Sequence, residues 1–305
     1  MPARRGGPAP ILLHTEEPGM KFAFLGLGNM GRPVARNIIR LGYDVLLYDL
    51  LPENIEKARE AGPTGRAASS PDEAADCDVV CTCLRMPDDV TGLMMGENGL
   101  YSKMKKGAIH VDFSTIDGPT TLKLEKAANE LGLGYIQCTQ GKTPQFAERR
   151  EQILYVGGKP DVVDKLWDPV FSKVAQPIRM KTAEAASSIK LITNMMSGVI
   201  LAAIAESIRL GEETGMSGEE VVELCKATGC NSHHLQIAGA SIAKRDLPPV
   251  FALDLERKDM RLACEMARSK GLNLTVSESA FALFNKAHDA GFGNWGAGAI
   301  IKVVD

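Results

Sequence analysis

Basic runs are missing from this chain of 305 residues, whose formal net charge is −3. Binding a phosphate backbone needs a basic field, so no nucleic-acid partner is expected. Long apolar runs are missing too: nothing reads as the roughly 20 apolar residues of a membrane span, and no membrane partner is expected. Arg4-Arg5 is followed only by the apolar run Ile11-Leu12-Leu13, far short of the about 7–15 residues of an export signal's core. The seven cysteines are scattered, and Cys81-Thr82-Cys83 is neither a metal nor a redox spacing, so free thiols in a reducing cytoplasm are expected. No His-Glu-x-x-His motif or Cys/His cluster exists for a metal. His233-His234 are adjacent, not a helical turn apart, and suit a cap, a loop or a substrate lid. No serine or cysteine stands in a nucleophile setting, and no repeat of solenoid length is visible.

What remains is an ordinary globular composition, 45% hydrophobic and 24% charged, in a chain long enough for two cores. Residues 1–19, rich in Pro, Gly and Arg, are expected to form a flexible extension. From Lys21 apolar runs alternate with helical patterns. Strands are predicted at Phe22 to Leu25, Asp44 to Asp49, Asp78 to Cys83, Ala108 to Phe113 and Gly134 to Cys138, with helices between them. His110 falls within a strand and is expected in the core. Such alternation implies right-handed crossovers and a parallel, doubly wound α/β sheet. From Ala183 to Glu213 there is neither proline nor strand signal, and one long, mostly buried helix is predicted, followed by further helices. The expected organisation is a Rossmann domain over 20–182 and an all-helical domain over 183–305. The long helix joins them and is suited to oligomerisation, as a homodimer or homotetramer.

Gly26-Leu27-Gly28-Asn29-Met30-Gly31 lies between the first strand and its helix, spaced as a dinucleotide fingerprint. Such glycines permit a tight turn, backbone approach to a pyrophosphate and close helix packing, while the helix N-terminus supplies N–H donors. Asp49 ends the second strand, where a carboxylate accepts from a ribose 2′-hydroxyl and repels a 2′-phosphate. Leu50-Leu51-Pro52 offers no cation to replace it. NAD is therefore expected over NADP. A second Gly-Lys-Thr, in Gly134-Tyr135-Ile136-Gln137-Cys138-Thr139-Gln140-Gly141-Lys142-Thr143-Pro144, is not a phosphate loop. Ile136 stands where that motif needs its first glycine.

These residues, with Asp112-Phe113-Ser114-Thr115-Ile116, Val156-Gly157-Gly158, Lys190, Asn194 and the segment Phe251 to Met260, make the chain resemble the β-hydroxyacid dehydrogenases, the 3-hydroxyisobutyrate dehydrogenase family. The resemblance runs from Lys21 to the C-terminus. It implies an NAD-dependent oxidoreductase interconverting a small hydroxy acid and its aldehyde or keto form. It places Lys190 at the catalytic position, with Asn194 one turn on, where a lysine stabilises the charge growing on the substrate oxygen and relays its proton. It also implies that Leu84, Arg85, Thr115 and Lys258 meet the cofactor, and that Ser114 lies near substrate.

The chain departs from the family where most members carry Asp-Ala-Pro-Val-Ser-Gly-Gly and this one has Gln137 to Thr143. Gly141, Lys142 and Thr143 are then expected to face substrate, Lys142 adding a positive charge as the arginine of the similar sulfolactaldehyde reductase branch does. Sulfonate, phosphonate and dicarboxylate substrates all stay open, and the alternative is a Lys142 pointing to solvent. Competing functions are imine reduction on the same fold and a non-catalytic NAD-binding module. Lys190 and Asn194 argue against the second.

Overall fold

The computed structural model describes residues 19–305, so the expected N-terminal extension lies, apart from Gly19, outside the described residues. Eight strands form one sheet: β1 (Phe22–Leu25), β2 (Val45–Tyr48), β3 (Gly65–Ala67), β4 (Val79–Thr82), β5 (Ile109–Asp112), β6 (Gly134–Gly141), β7 (Ile153–Gly158) and β8 (Gln176–Arg179). Their order is β3-β2-β1-β4-β5-β6-β7-β8, a doubly wound arrangement in which the chain reverses direction across the sheet beside β1. The expectation of a wholly parallel sheet is corrected at one place: β7 pairs antiparallel to β6. A parallel return needs a full crossover, usually a helix spanning the sheet, and the link between Gly141 and Ile153 holds only the short helix Pro144–Glu148, which gives a local reversal instead. Sequence periodicity missed β3, β7 and β8, which are short or interrupted by glycine.

Helices α1 (Gly31–Arg40), α2 (Pro52–Arg59), α3 (Pro87–Met95), α4 (Gly118–Glu130), α5 (Pro144–Glu148), α6 (Pro160–Leu166) and α7 (Ser172–Val174) accompany the sheet. One core, with Phe24, Leu27, Val34, Ile38 and Phe171, fills one face; a second, with Leu25, Val90, Met94, Leu100 and Leu124, fills the other. Burial on both faces explains why these strands read as continuous apolar runs.

The long helix α8 spans Ala183–Glu213, as the sequence predicts. It starts where Thr182 caps it, Oγ1 accepting from the Ala185 amide over 3.1 Å. It is followed by α9 (Gly218–Lys226), α10 (His233–Lys244), α11 (Leu253–Ser269) and α12 (Thr275–Asp289), around a third core that includes Leu201, Ile208, Leu253 and Phe284. Two expectations need correction here. The helix is buried along one side only, against β6, β7, α4, α11 and α12, while Ile192, Met196 and Leu210 are exposed. It is also long and apolar enough, by length and composition, to cross a bilayer. Its packing against the sheet gives that apolar side another partner.

Candidate active site

The turn after β1 is built by close approaches. At Gly26 (φ +94°) an added Cβ would stand 2.3 Å from the Cys83 carbonyl oxygen, and at Gly31 it would stand 2.1 Å from the Gly26 carbonyl oxygen. Larger side chains are excluded, so the backbone lies tight against β4. Above Gly28 there is open space, and Met30, which precedes α1, offers no side-chain cap to it. The Arg32 amide already donates to the Gly28 carbonyl (3.1 Å), so an anion at this turn would meet the open Gly28 backbone and the positive end of α1.

Asp49 is held facing this turn. Its Oδ2 accepts from the Leu27 amide (2.6 Å) and its Oδ1 from the Leu51 amide (2.9 Å) and Asn54 Nδ2 (3.1 Å). The sequence found no cation next to Asp49, but the fold brings one near: Arg32 Nη1 donates to Asn54 Oδ1 at 3.3 Å. These groups fit a dinucleotide, with the open Gly28 backbone for its diphosphate and Asp49 for its ribose.

The carboxyl edge of β4 and β5 forms the next part. Leu84 donates its amide to Ser114 Oγ (2.9 Å), and the Ser114 amide donates to Asp112 Oδ1 (3.0 Å). Ser114 is almost wholly buried and ties two strand ends together, so its hydroxyl has a structural partner already. Behind it, Thr82 Oγ1 donates to Asp112 Oδ1 (2.8 Å) and lies 2.8 Å from His110 Nε2, while the Tyr101 hydroxyl meets His110 Nδ1 at 2.7 Å. His110 is a core residue, as expected. Burial lowers its pKa to about 3, and burial raises that of Asp112 to about 6 against the hydrogen bonds it accepts. Cys83 borders the site, but burial, with the Asp112 charge, pushes its thiol up to about 12, which rules out a ready thiolate.

Lys190 and Asn194 project from one face of α8. Lys190 Nζ donates to Asn194 Oδ1 (2.9 Å), and Asn194 Nδ2 donates to Asp259 Oδ2 (2.6 Å) on α11. Asp259 Oδ1 lies 2.9 Å from Lys258 Nζ, an ion pair whose angle is outside hydrogen-bond geometry. Lys258 Nζ reaches out of the helical domain to donate to the carbonyls of Thr115 (2.7 Å) and Arg85 (3.1 Å). A continuous polar line therefore crosses the cleft. The pKa of half-buried Lys190 is lowered, because burial outweighs the opposing pull of Asp259 and Glu256. The sequence marked Lys190, Asn194 and Lys258 but not Asp259, whose role depends on which helix faces α8. Lys258 and Asp259 are a buried pair, 6% and 1% exposed, and not a solvated one on the helix surface.

On the opposite rim Asn29 Nδ2 approaches the Val250 carbonyl at 3.4 Å, linking the Gly-rich turn to the loop before α11. Gly141 ends β6, and Thr143 precedes α5 with its hydroxyl donating to Gln145 Oε1 (2.7 Å). No hydrogen bond or ion pair joins Lys142 to the Lys190 line. Lys142 is exposed, donates to the Glu151 carbonyl (2.7 Å) and sits over the Phe146 ring. Its backbone is left-handed (φ 68°), a conformation that favours glycine over a side chain-bearing residue. Gln137, buried, donates to the carbonyls of Asp112 (3.1 Å) and Ser114 (3.0 Å) and so props the β5 edge. His233 and His234 open α10 behind the cap Ser232.

Two family models match the chain: the NAD binding domain of 6-phosphogluconate dehydrogenase over residues 21–192, and the NAD-binding region of NADP-dependent 3-hydroxyisobutyrate dehydrogenase over 185–304. The 2-(hydroxymethyl)glutarate dehydrogenase of Eubacterium barkeri is 29% identical, covering 94% of this chain and 95% of its own. The 3-sulfolactaldehyde reductase of Escherichia coli is 27% identical, covering 93% and 95%. Among solved structures, a 3-hydroxyisobutyrate dehydrogenase from Salmonella typhimurium superposes with a TM-score of 0.86 at 25% identity, over 93% of this chain and 99% of that one.

Proposed function

The chain belongs to the β-hydroxyacid dehydrogenase family, and on that premise we propose that it interconverts a small anionic hydroxy acid with its aldehyde or semialdehyde, Lys190 exchanging the proton. The observation that carries this reading is the line Lys190–Asn194–Asp259 at the cleft between the Gly-rich turn and the helical domain. Bound by Gly26 to Gly31 and Asp49, a nicotinamide cofactor supplies the hydride acceptor or donor. The protein's own part is the proton. In oxidation the neutral Lys190 amine takes it from the hydroxyl, and in reduction the ammonium returns it. Burial favours the neutral amine, so both forms are accessible nearer neutrality than for a solvated lysine. Asn194 presents its carbonyl oxygen to Lys190 because its amide nitrogen is committed to Asp259.

The substrates named for the relatives, 2-(hydroxymethyl)glutarate and 3-sulfolactaldehyde, are small anions. A carboxylate or sulfonate here fits the same reading, with Lys142, Gly141 and Thr143 as the loop that meets the acid group. NAD is our choice over NADP because Asp49 would repel a 2′-phosphate. Faster turnover with NADP at equal concentration would overturn that choice and point to Arg32. The exposed apolar side of α8, with Ile192, Met196 and Leu210, supports a homo-oligomer, which light scattering tests.

The decisive experiment follows NADH absorbance with glyoxylate, succinic semialdehyde and small hydroxy acids and hydroxysulfonates. Lys190→Ala should lower turnover by about 10²–10⁴-fold with NADH still bound. An unchanged rate would end the assignment of Lys190.

A further inference from the structure

Beneath the Lys190 line lies a carboxyl that the proton step does not use. Glu256 sits on α11 one turn before Asp259, is 1% exposed, and neither of its oxygens has a side-chain hydrogen-bond partner, the Gly198 backbone being the polar group beside it. Lone burial of a carboxyl in that state is costly and uncommon. The fold makes room for it deliberately. Gly198 follows Asn194 by one turn of α8, and a Cβ there would stand 2.9 Å from Glu256 Oε1 and 2.3 Å from Met260 Sδ. Lys190, Asn194 and Gly198 thus form one stripe of α8, and Asp259 and Glu256 form the facing stripe of α11. Met260 and Glu256 share the notch that Gly198 leaves, so the carboxyl is held against α8 beside an apolar side chain and away from water.

We propose that Glu256 is a positioning residue for Lys190, a buried carboxyl that sets the pH at which the lysine gains and loses its proton. The inference rests on the reading of Lys190 as the proton-exchanging group. The groups that face Glu256 are Asp259 and Lys258 on its own helix and Lys190 on α8. Burial and the Asp259 charge keep the Glu256 proton on well above the usual carboxylate range, while Lys190 and Lys258 oppose them. The coupling is reciprocal. Ionised Glu256 holds the proton on Lys190, and protonated Glu256 lets Lys190 become the neutral amine that oxidation requires. Removing the carboxyl removes the ionised state and so lowers the Lys190 midpoint.

The test is a ¹³C NMR titration of ¹³Cε-lysine-labelled full-length protein without substrate, Lys190 being assigned by its absence in Lys190→Met. In Glu256→Gln, of the same shape, and in Glu256→Met, which suits the apolar surroundings, the Lys190 midpoint should fall by about half a pH unit or more. The acidic limb of the oxidation pH–rate profile should move the same way. Midpoints within ~0.2 units of wild type in both variants would overturn the proposal. A shift in Glu256→Met alone would also overturn it, since that is a packing effect. If the midpoint falls but Lys190→Ala keeps full turnover, the coupling stands and the proposed role of Lys190 in catalysis fails instead.

Discussion

Asn194 Nδ2 donates to Asp259 Oδ2 over 2.6 Å, and that bond decides which end of the amide meets Lys190. With the NH₂ engaged, Oδ1 is left to accept from the lysine, and the ammonium or amine is aimed along α8 toward the cleft. The arrangement depends on two helices that are far apart in sequence.

Asn194→Leu therefore removes the orienting acceptor without touching Lys190 itself. Turnover should drop by about 10-fold or more while NADH affinity stays near wild type. Steady-state kinetics with a fluorescence titration of NADH checks both; equal losses in the two would mean that the cleft has collapsed instead.

Lys258 links the helical domain to the loops after β4 and β5. Lys258→Met leaves Asp259 buried without its cation and removes two donors from the carbonyls of Arg85 and Thr115. A loss of about 3 kcal/mol in stability is expected, with weaker NADH binding. Urea unfolding measures the first and calorimetry the second.

Lys142 holds a left-handed backbone that costs a non-glycine residue roughly 1 kcal/mol. Lys142→Gly should relieve this, leaving stability equal to or up to ~1 kcal/mol above wild type, whereas Lys142→Ala keeps the strain. Both should raise KM for an anionic substrate with little change in kcat. Unaltered kinetics in both would return Lys142 to the surface role that its contact with Glu151 describes.

His110 and Asp112 act oppositely on stability as pH falls. The folded pKa of His110 is about 3, below its ordinary 6.5, so the unfolded chain binds more protons and stability is lost between those values on acidification. Asp112 is at about 6, above its ordinary 3.8, so the folded chain binds more protons and stability is gained as pH falls from 6 toward 4. The two should nearly cancel in that window. Relative to wild type, stability should rise from pH 6 to pH 4 in His110→Gln and fall in Asp112→Asn, each by on the order of 2 kcal/mol. Chemical denaturation at each pH shows whether the slopes separate.

Much of the fold was legible because its signals are local. The alternation of apolar runs with helical patterns, the Gly26 to Gly31 turn and the proline-free stretch from Ala183 all act over a few neighbouring residues. Strands β7 and β8 were not legible: β7 alternates half-buried and buried residues only from Ile153 to Val156 before ending in Gly157-Gly158, and β8 is a largely exposed edge with no apolar run. The antiparallel return of β7 follows from a short connection, which composition does not reveal.

For the site, residue types and spacing determined Gly26, Gly28, Gly31 and Asp49, and the resemblance to a family picked out Lys190, Asn194 and Lys258. Only the tertiary structure decided that Asp259 orients Asn194, that Arg32 reaches the neighbourhood of Asp49, that Lys142 lies along Phe146 and Glu151, and that Glu256 occupies the notch at Gly198. The physical reason is separation along the chain. A turn or a helix face is set by residues within a few positions of one another. The partner of a buried charge is set by which helices pack together, and α8 meets α11 only once the whole domain has folded.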